Sequence, residues 1–378
     1  MSELLPSTLD QLRALVAHDT RNPPREIDTD GIFAHARAQL PDFDIAMTDH
    51  GAGAVSMLAV RGKPKYLFNV HLDTVPAAPA WSRDPFDLQV GAERATGLGA
   101  CDIKGAAAAL LAVAQVTDGP MALLFSSDEE ANDARCIKGF LETSPATRVP
   151  SPESRVPAFD AVIVAEPTQG RAVLAHRGIQ SVLMRFGGRA GHASKAQLPG
   201  DSALHQAMRW GNAALDYVAS QEDAEFGGLT GLRFNIGRVE GGIKANVIAP
   251  EAELRFNMRP LPSMGADDLL ATFKSLAIMP PLEFAETFRG PSLPSGDPAR
   301  ADERRRQAHD LADALAIPVG PAVDFWTEAA LFSAAGYTTF VYGPGDIAQA
   351  HAADEWVALD QLQGYVDTLH HIVESGQA

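Results

Sequence analysis

The stretch Tyr66-Leu67-Phe68-Asn69-Val70-His71-Leu72-Asp73 decides the fold: a short apolar run that ends in a histidine, with an acid two residues on. Its length and its Tyr, Phe and Val content read as a buried strand. Two similar runs follow. Met121-Ala122-Leu123-Leu124-Phe125-Ser126-Ser127-Asp128-Glu129 reads as a strand closed by Glu130, and Ala161-Val162-Ile163-Val164-Ala165 leads to Glu166. Between the first two, Gly105 to Val116 is alanine-rich and apolar, which predicts a helix packed on the sheet. This alternation predicts an α/β protein with a mainly parallel sheet. The strand ends of such a sheet open onto one edge crevice, where His71, Asp102, Glu130, Glu166 and His351 can converge. Imidazoles with carboxylates are a ligand set for zinc or a similar ion, and a bridging carboxylate suits a pair of ions. The residues therefore point to a metal-dependent hydrolase.

Composition narrows the field. A chain of 378 residues with 46% hydrophobic content has material for two domains, or for one with a large insertion. A formal charge of −17 argues against nucleic acid and against anionic membrane surfaces, both of which attract basic patches. No stretch approaches the ~20 apolar residues of a membrane span, and the N-terminus lacks a basic region followed by an apolar core. A cytoplasmic location is expected. The two cysteines, Cys101 and Cys136, make no disulfide framework and read as small buried hydrophobes.

Thr8-Leu9-Asp10-Gln11 has capping-box form ahead of an apolar face of Leu9, Leu12, Leu15 and Val16. The Pro/Ser-rich segment 144–157 reads as an exposed loop. After Gly178 the texture changes. Strands are predicted at 180–186, 232–238, 245–248, 251–258 and 282–289, with helices at 202–220 and 266–278. That block suffices for its own small core, so a smaller α+β domain is expected as an insertion at 178–289. The catalytic domain would comprise 1–177 and 290–378.

His71 and Asp73 stand two apart on an extended segment, so the carboxylate of Asp73 can accept from the free ring N–H of a ligating His71. Asp102 lies in a turn bracketed by Gly99 and Gly105, suited to bridging two ions. Of the adjacent acids Glu129 and Glu130, one can bind metal while the other stays free to carry a proton. Taken singly, each residue has an ordinary explanation: a loop histidine, a solvated helix start. What those explanations leave unaddressed is why such groups recur at the ends of apolar strands. His370-His371 are set aside, because helical neighbours diverge by about 100° and chelate one ion poorly.

These motifs, with Glu166-Pro167-Thr168 and Gly191-His192-Ala193-Ser194, resemble the M20 family of dinuclear zinc amidohydrolases and peptidases along the whole chain. Arg21-Asn22-Pro23-Pro24, Asp324-Phe325-Trp326-Thr327-Glu328-Ala329 and Gly343 to His351 resemble its acetylornithine deacetylase branch, and within it the xanthomonad N-acetylcitrulline deacetylases. The resemblance implies that His71 and Glu166 hold one ion, that Glu130 and His351 hold the other, and that Asp102 bridges them. The ions would be Zn²⁺, with Co²⁺ able to substitute. It implies Glu129 as general base, Asp73 as the partner of His71, and His192 as a donor to the scissile carbonyl. A homodimer through the inserted lid domain is implied too. Glu130 is followed by Ala131-Asn132 where relatives commonly have glycine, a departure that concerns loop shape.

An N-acyl amino acid also needs its α-carboxylate held, for which Arg259, Asn246 and Lys244 are candidates. Glu328 is the candidate for the far end of the substrate side chain. The expected reaction is release of acetate from N-acetyl-L-citrulline or N-acetyl-L-ornithine in arginine biosynthesis. Succinyl-diaminopimelate desuccinylation and dipeptidase or carboxypeptidase action are the same-class alternatives. An inactive metal-binding homologue is the alternative from another class.

Overall fold

The computed structural model describes residues 4–131, 133–143 and 159–375; the segment 144–157, read above as a loop, and Asn132 lie outside them. The chain forms two compact units. The first comprises Met1–Leu174, Arg304–Gly320 and Thr327–Ala378, and the second comprises Ala175–Glu303 and Pro321–Trp326. The second is longer than the expected 178–289 because extended chain beyond both ends pairs with itself. His176 bridges to Leu293 on one side and to Val323 on the other.

The first unit is built on a six-stranded sheet in the order Asp44–Asp49, Val55–Arg61, Met121–Ser126, Tyr66–His71, Ala161–Val164, Thr338–Val341. The last four run parallel and the first two form an antiparallel edge. Register aligns the strand ends: His71 is opposite Ser126, and Asn69 is opposite Val164. Residues that follow these strands therefore emerge at one sheet edge. The alanine-rich run forms the helix Gly105–Val116, buried from Gly105 through Ala114. Its small side chains let the sheet and the helices Leu4–Val16 and Leu359–Ser375 close on it within one apolar cluster. In the last helix Leu362, Tyr365, Val366, Leu369, Ile372 and Val373 are buried, the spacing of one helical face.

Three local expectations are corrected. The strand from Met121 stops at Ser126, short of Glu130, and Ser127 turns to bond the backbone of Val55 and Gly53. The first helix begins at Leu4, so Thr8 lies inside it with its hydroxyl donating to the Leu4 carbonyl at 2.8 Å. A hydroxyl that finds a carbonyl one turn back needs no cap position. Residues 245–248 form no strand, because Gly241 and Gly242, both at positive φ, turn the chain away after the strand Arg233–Gly241. Only Val247 pairs, as a bridge to His192.

The second unit carries a four-stranded antiparallel sheet, in the order Arg233–Gly241, Glu251–Arg259, Ile179–Gly187, Glu283–Gly290. Ala252, Leu254, Phe256 and Met258 alternate inward along one strand. They meet the helices Ala203–Ala219 and Ala266–Ser275 around Trp210 and Phe273. The Trp210 ring lies 4.9 Å from that of Phe256, and its N–H donates to the Phe273 carbonyl at 2.8 Å. Trp210→Ala should therefore destabilise this unit by about 3–5 kcal/mol, read as a lowered urea midpoint. A midpoint unchanged within error would show that this core does not centre on Trp210.

Candidate active site

Each predicted ligand is set by the backbone that carries it. His71 is the last residue of its strand. Asp102 sits on a turn entered through Gly99 at φ 77°, where a Cβ would meet Thr74 Cγ2 at 2.7 Å, so glycine is required. Glu129 and Glu130 lie on the loop after Ser126, and Glu166 lies two residues beyond the strand ending at Val164. Gly343 passes against Glu166, where a Cβ would come within 2.5 Å of the Glu166 carbonyl oxygen. His351 stands in a loop at φ 58°, a left-handed conformation uncommon for histidine.

The five side chains converge around Asp102. Its Oδ1 is 3.3 Å from His71 Nε2, and its Oδ2 is 3.4 Å from His351 Nε2. On one side His71 Nε2 lies 3.8 Å from Glu166 Oε1; on the other His351 Nε2 lies 3.1 Å from Glu130 Oε1. Ligand-type atoms of His71, Asp102 and Glu166 fall within 4.8 Å of one another, and so do those of Asp102, Glu130 and His351. Two triads thus share one carboxylate. The same distance also groups Glu129 with His71 and Glu130, so a further acid stands at the cluster without being needed by either triad.

Asp73 holds this arrangement, though not quite as its spacing suggested. The His71 ring Nδ1 is 3.0 Å from the Asp73 backbone carbonyl and 3.4 Å from its carboxylate Oδ1. An N–H at Nδ1 donates to that carbonyl and leaves Nε2 free to ligate. The carboxylate Oδ2 accepts instead from the Glu130 backbone N–H at 3.0 Å and from Asn22 Nδ2 at 3.2 Å. Arg25 in turn donates to Asn22 Oδ1 at 2.9 Å. Asn22 was legible only as part of a motif before two prolines; its contact with Asp73 spans 51 residues of sequence.

The electrostatics are those of a crowded, buried cluster of acids and imidazoles. Burial disfavours a charged His71 ring, but Asp102, Asp73 and Glu166 outweigh it and hold its pKa well above the ordinary value. Hydrogen bonds to Asp102 and Glu130 raise His351 to about 10. Burial pushes Glu129 and Glu166 well above the usual carboxylate range, and neighbouring acids push the same way. Asp102 goes the other way, because the two histidines overcome its burial. Among the described residues, the ion pairs of Asp102, Glu130 and Glu166 run only to these histidines. The buried Asp102 Oδ1 has no hydrogen-bond partner, as befits an atom facing a cation. The donor set of two imidazoles and three carboxylates fits a pair of divalent ions, with Asp102 common to both.

Residues 67–375 match the sequence model of peptidase family M20/M25/M40. The chain belongs to that family. It is 65% identical over 374 residues, 99% of each chain, to an N-acetyl-L-citrulline deacetylase of Xanthomonas campestris pv. campestris. It is 27% identical to an acetylornithine deacetylase of Vibrio vulnificus, over 86% of each chain. Among solved structures, aminopeptidase PepT of Bacillus cereus superposes with a TM-score of 0.69 at 17% identity, covering 99% of both chains. As an M20 hydrolase the protein has an α/β catalytic unit and a smaller α+β unit, the class expected from its strand pattern.

The remaining candidates divide between the units. In the second, His192 is exposed, its Nδ1 2.7 Å from Ser194 Oγ, and its loop pairs with the one bearing Asn246 through an Ala193 N–H to Asn246 carbonyl bond of 3.1 Å. Lys244 is exposed on that second loop. Arg259 ends the strand Glu251–Arg259, half-buried and without an ion pair among the described residues. In the first unit Glu328, expected at the far end of the substrate, is only 2% exposed, with Oε2 3.1 Å from Ser126 Oγ. That places it inside the unit with the acid cluster rather than at an outer rim.

Burial raises the Glu328 carboxyl to about 8, with Asp128 adding to the rise. The folded metal-free protein therefore favours neutral Glu328 and loses stability as pH climbs from the ordinary carboxyl range to about 8. In the presence of a chelator, Glu328→Gln should melt above the parent at pH 8. The gap should close toward pH 5, with a slope of up to roughly 1.4 kcal/mol per pH unit. A parent–variant difference that does not change with pH would contradict the burial argument.

Proposed function

We propose that this protein is a dinuclear zinc deacetylase that releases acetate from N-acetyl-L-citrulline, with N-acetyl-L-ornithine as the next substrate, in arginine biosynthesis. The observation that carries the reading is the 65% identity over 99% of the chain to an N-acetyl-L-citrulline deacetylase, in a chain that gathers both triads and Glu129 in one place. Zinc is proposed from the imidazole and carboxylate donors, with cobalt able to replace it. When bound, the ions supply Lewis acidity toward the acyl oxygen and toward the attacking water.

The chain's own groups account for the rest. Asp102 fixes both halves of the site through its two oxygens, and Asp73 sets the ring of His71. Glu129, free of either triad, takes a proton from the attacking water. As the amide C–N bond breaks, it passes that proton to the leaving amine nitrogen. His192 is assigned to the acyl oxygen, where a donor to developing negative charge is worth roughly 3 kcal/mol in other enzymes. Arg259, half-buried with no acidic partner among the described residues, is assigned to the substrate α-carboxylate, with Asn246 and Lys244 as further donors. Burial of Glu328 favours a place behind the reacting groups over a contact with the substrate's far end. A cytoplasmic location and pairing of two copies through the inserted unit belong to the same proposal. No helix of the described residues is long and apolar enough to cross a membrane.

Two experiments test this. Glu129→Gln should keep its fold and both metal equivalents while kcat falls by about 10²–10⁴. Turnover near the parent's would remove Glu129 from the role of base. In a panel of acetylcitrulline, acetylornithine, acetylglutamate and succinyl-diaminopimelate, the zinc-loaded enzyme should show its highest kcat/KM on acetylcitrulline. A preference for the succinylated substrate would overturn the assignment.

A further inference from the structure

The segment after His351 ends in an acid that the mechanism above does not use. Glu355 is 2% exposed, and among the described residues it ion-pairs with no lysine or arginine. Its carboxylate is nonetheless fully engaged. Oε2 accepts from the Gly99 backbone N–H, and Oε1 accepts from the N–H groups of Cys101 and Asp102, all at 2.9 Å. Its own backbone carbonyl accepts from the Gly97 N–H at 3.0 Å, and the next residue, Trp356, pairs with Thr96. Every one of these partners lies on the approach to Asp102.

We propose that Glu355 is a positioning residue for the metal pair: its carboxylate clamps the turn that presents the bridging Asp102 and ties that turn to the loop bearing His351. The inference rests on the dinuclear reading given above. One of the three amides is that of Asp102 itself, so the clamp fixes the backbone from which the shared ligand projects. Glu355 is also four residues past His351, and Asp354 between them accepts from the Ser82 N–H and Oγ at 2.9 Å. Asp102 and His351 are two of the three ligands in the second triad, whereas the first triad contains Asp102 alone of the pair. Loss of the clamp should therefore fall mainly on one ion. A carboxylate is the side chain suited to the task, since it offers only acceptors to three converging donors. A glutamine must turn an NH₂ toward one of those N–H groups.

The test is Glu355→Gln, stripped of metal and titrated calorimetrically with Zn²⁺ beside the parent. The parent should take up two equivalents; if it does not, the dinuclear reading fails before this one is reached. In E355Q one of the two equivalents should lose about 10–100-fold in affinity while the other stays within a few-fold. At limiting zinc kcat should drop, excess zinc should restore it, and KM for the acetylated amino acid should hold throughout. Parent-like affinity for both equivalents overturns the proposal. So does loss of both together, or a kcat deficit that excess zinc leaves in place, since either marks general damage to the fold. Should E355Q fail to fold, Glu355→Asp carries the same test: one methylene shorter, it cannot span all three amides, and parent-like zinc binding would again overturn the inference.

Discussion

Several acids gathered at one sheet edge with two histidines constitute the constraint around which this catalytic unit is arranged. Carboxylates brought so close resist ionising together, and burial adds to the cost. Protons can relieve that repulsion, as the raised pKa values of Glu129, Glu166 and the histidines indicate, and divalent cations can relieve it more fully. Asp102 makes the arrangement divisible, because its two oxygens face different histidines. One carboxylate is thereby common to two adjoining triads.

Around that centre the fold contributes rigidity in layers. Parallel strands in fixed register deliver His71 and the loops bearing Glu129, Glu130 and Glu166 to the same edge. Behind them stand groups whose partners are mostly backbone. Asp73 joins the ring of His71 to the N–H of Glu130, Asn22 steadies Asp73, and Gly343 lets a neighbouring loop close on Glu166. The geometry of the centre is thus held by hydrogen bonds more than by packing, and the apolar helix Gly105–Val116 supplies the packing beneath.

Much of this was legible in the sequence, and the limits of legibility have physical causes. Candidate ligands are His, Cys, Asp or Glu side chains, and those that follow a buried strand or a glycine-rich turn are the ones a sequence makes visible, so His71, Asp102, Glu130, Glu166 and His351 stood out as candidates by type and place. Asn22 and Glu355 did not. Each acts by meeting atoms distant in sequence, and neither an asparagine before prolines nor an acid in a polar loop announces a buried partner. The misreadings have a similar source. The pattern Thr8 to Gln11 matches a capping box, yet Leu4 already starts the helix, and Thr8 bonds back to it. Residues 245–248 have the composition of a strand, but two glycines at positive φ break the chain before they can join the sheet. The change of texture after Gly178 falls close to the start of the second compact unit at Ala175. The bridges of His176 to Leu293 and Val323, which lie beyond 178–289, depend on contacts that no local pattern encodes.

The central claim is that one aspartate divides two cations between two histidine–carboxylate pairs. Anomalous diffraction at the zinc edge from crystals of the zinc-loaded protein tests it most directly. Two peaks are expected, one between His71 and Glu166 and the other between Glu130 and His351, with Asp102 touching both. A single peak under saturating zinc, or two peaks of which Asp102 contacts only one, would contradict it.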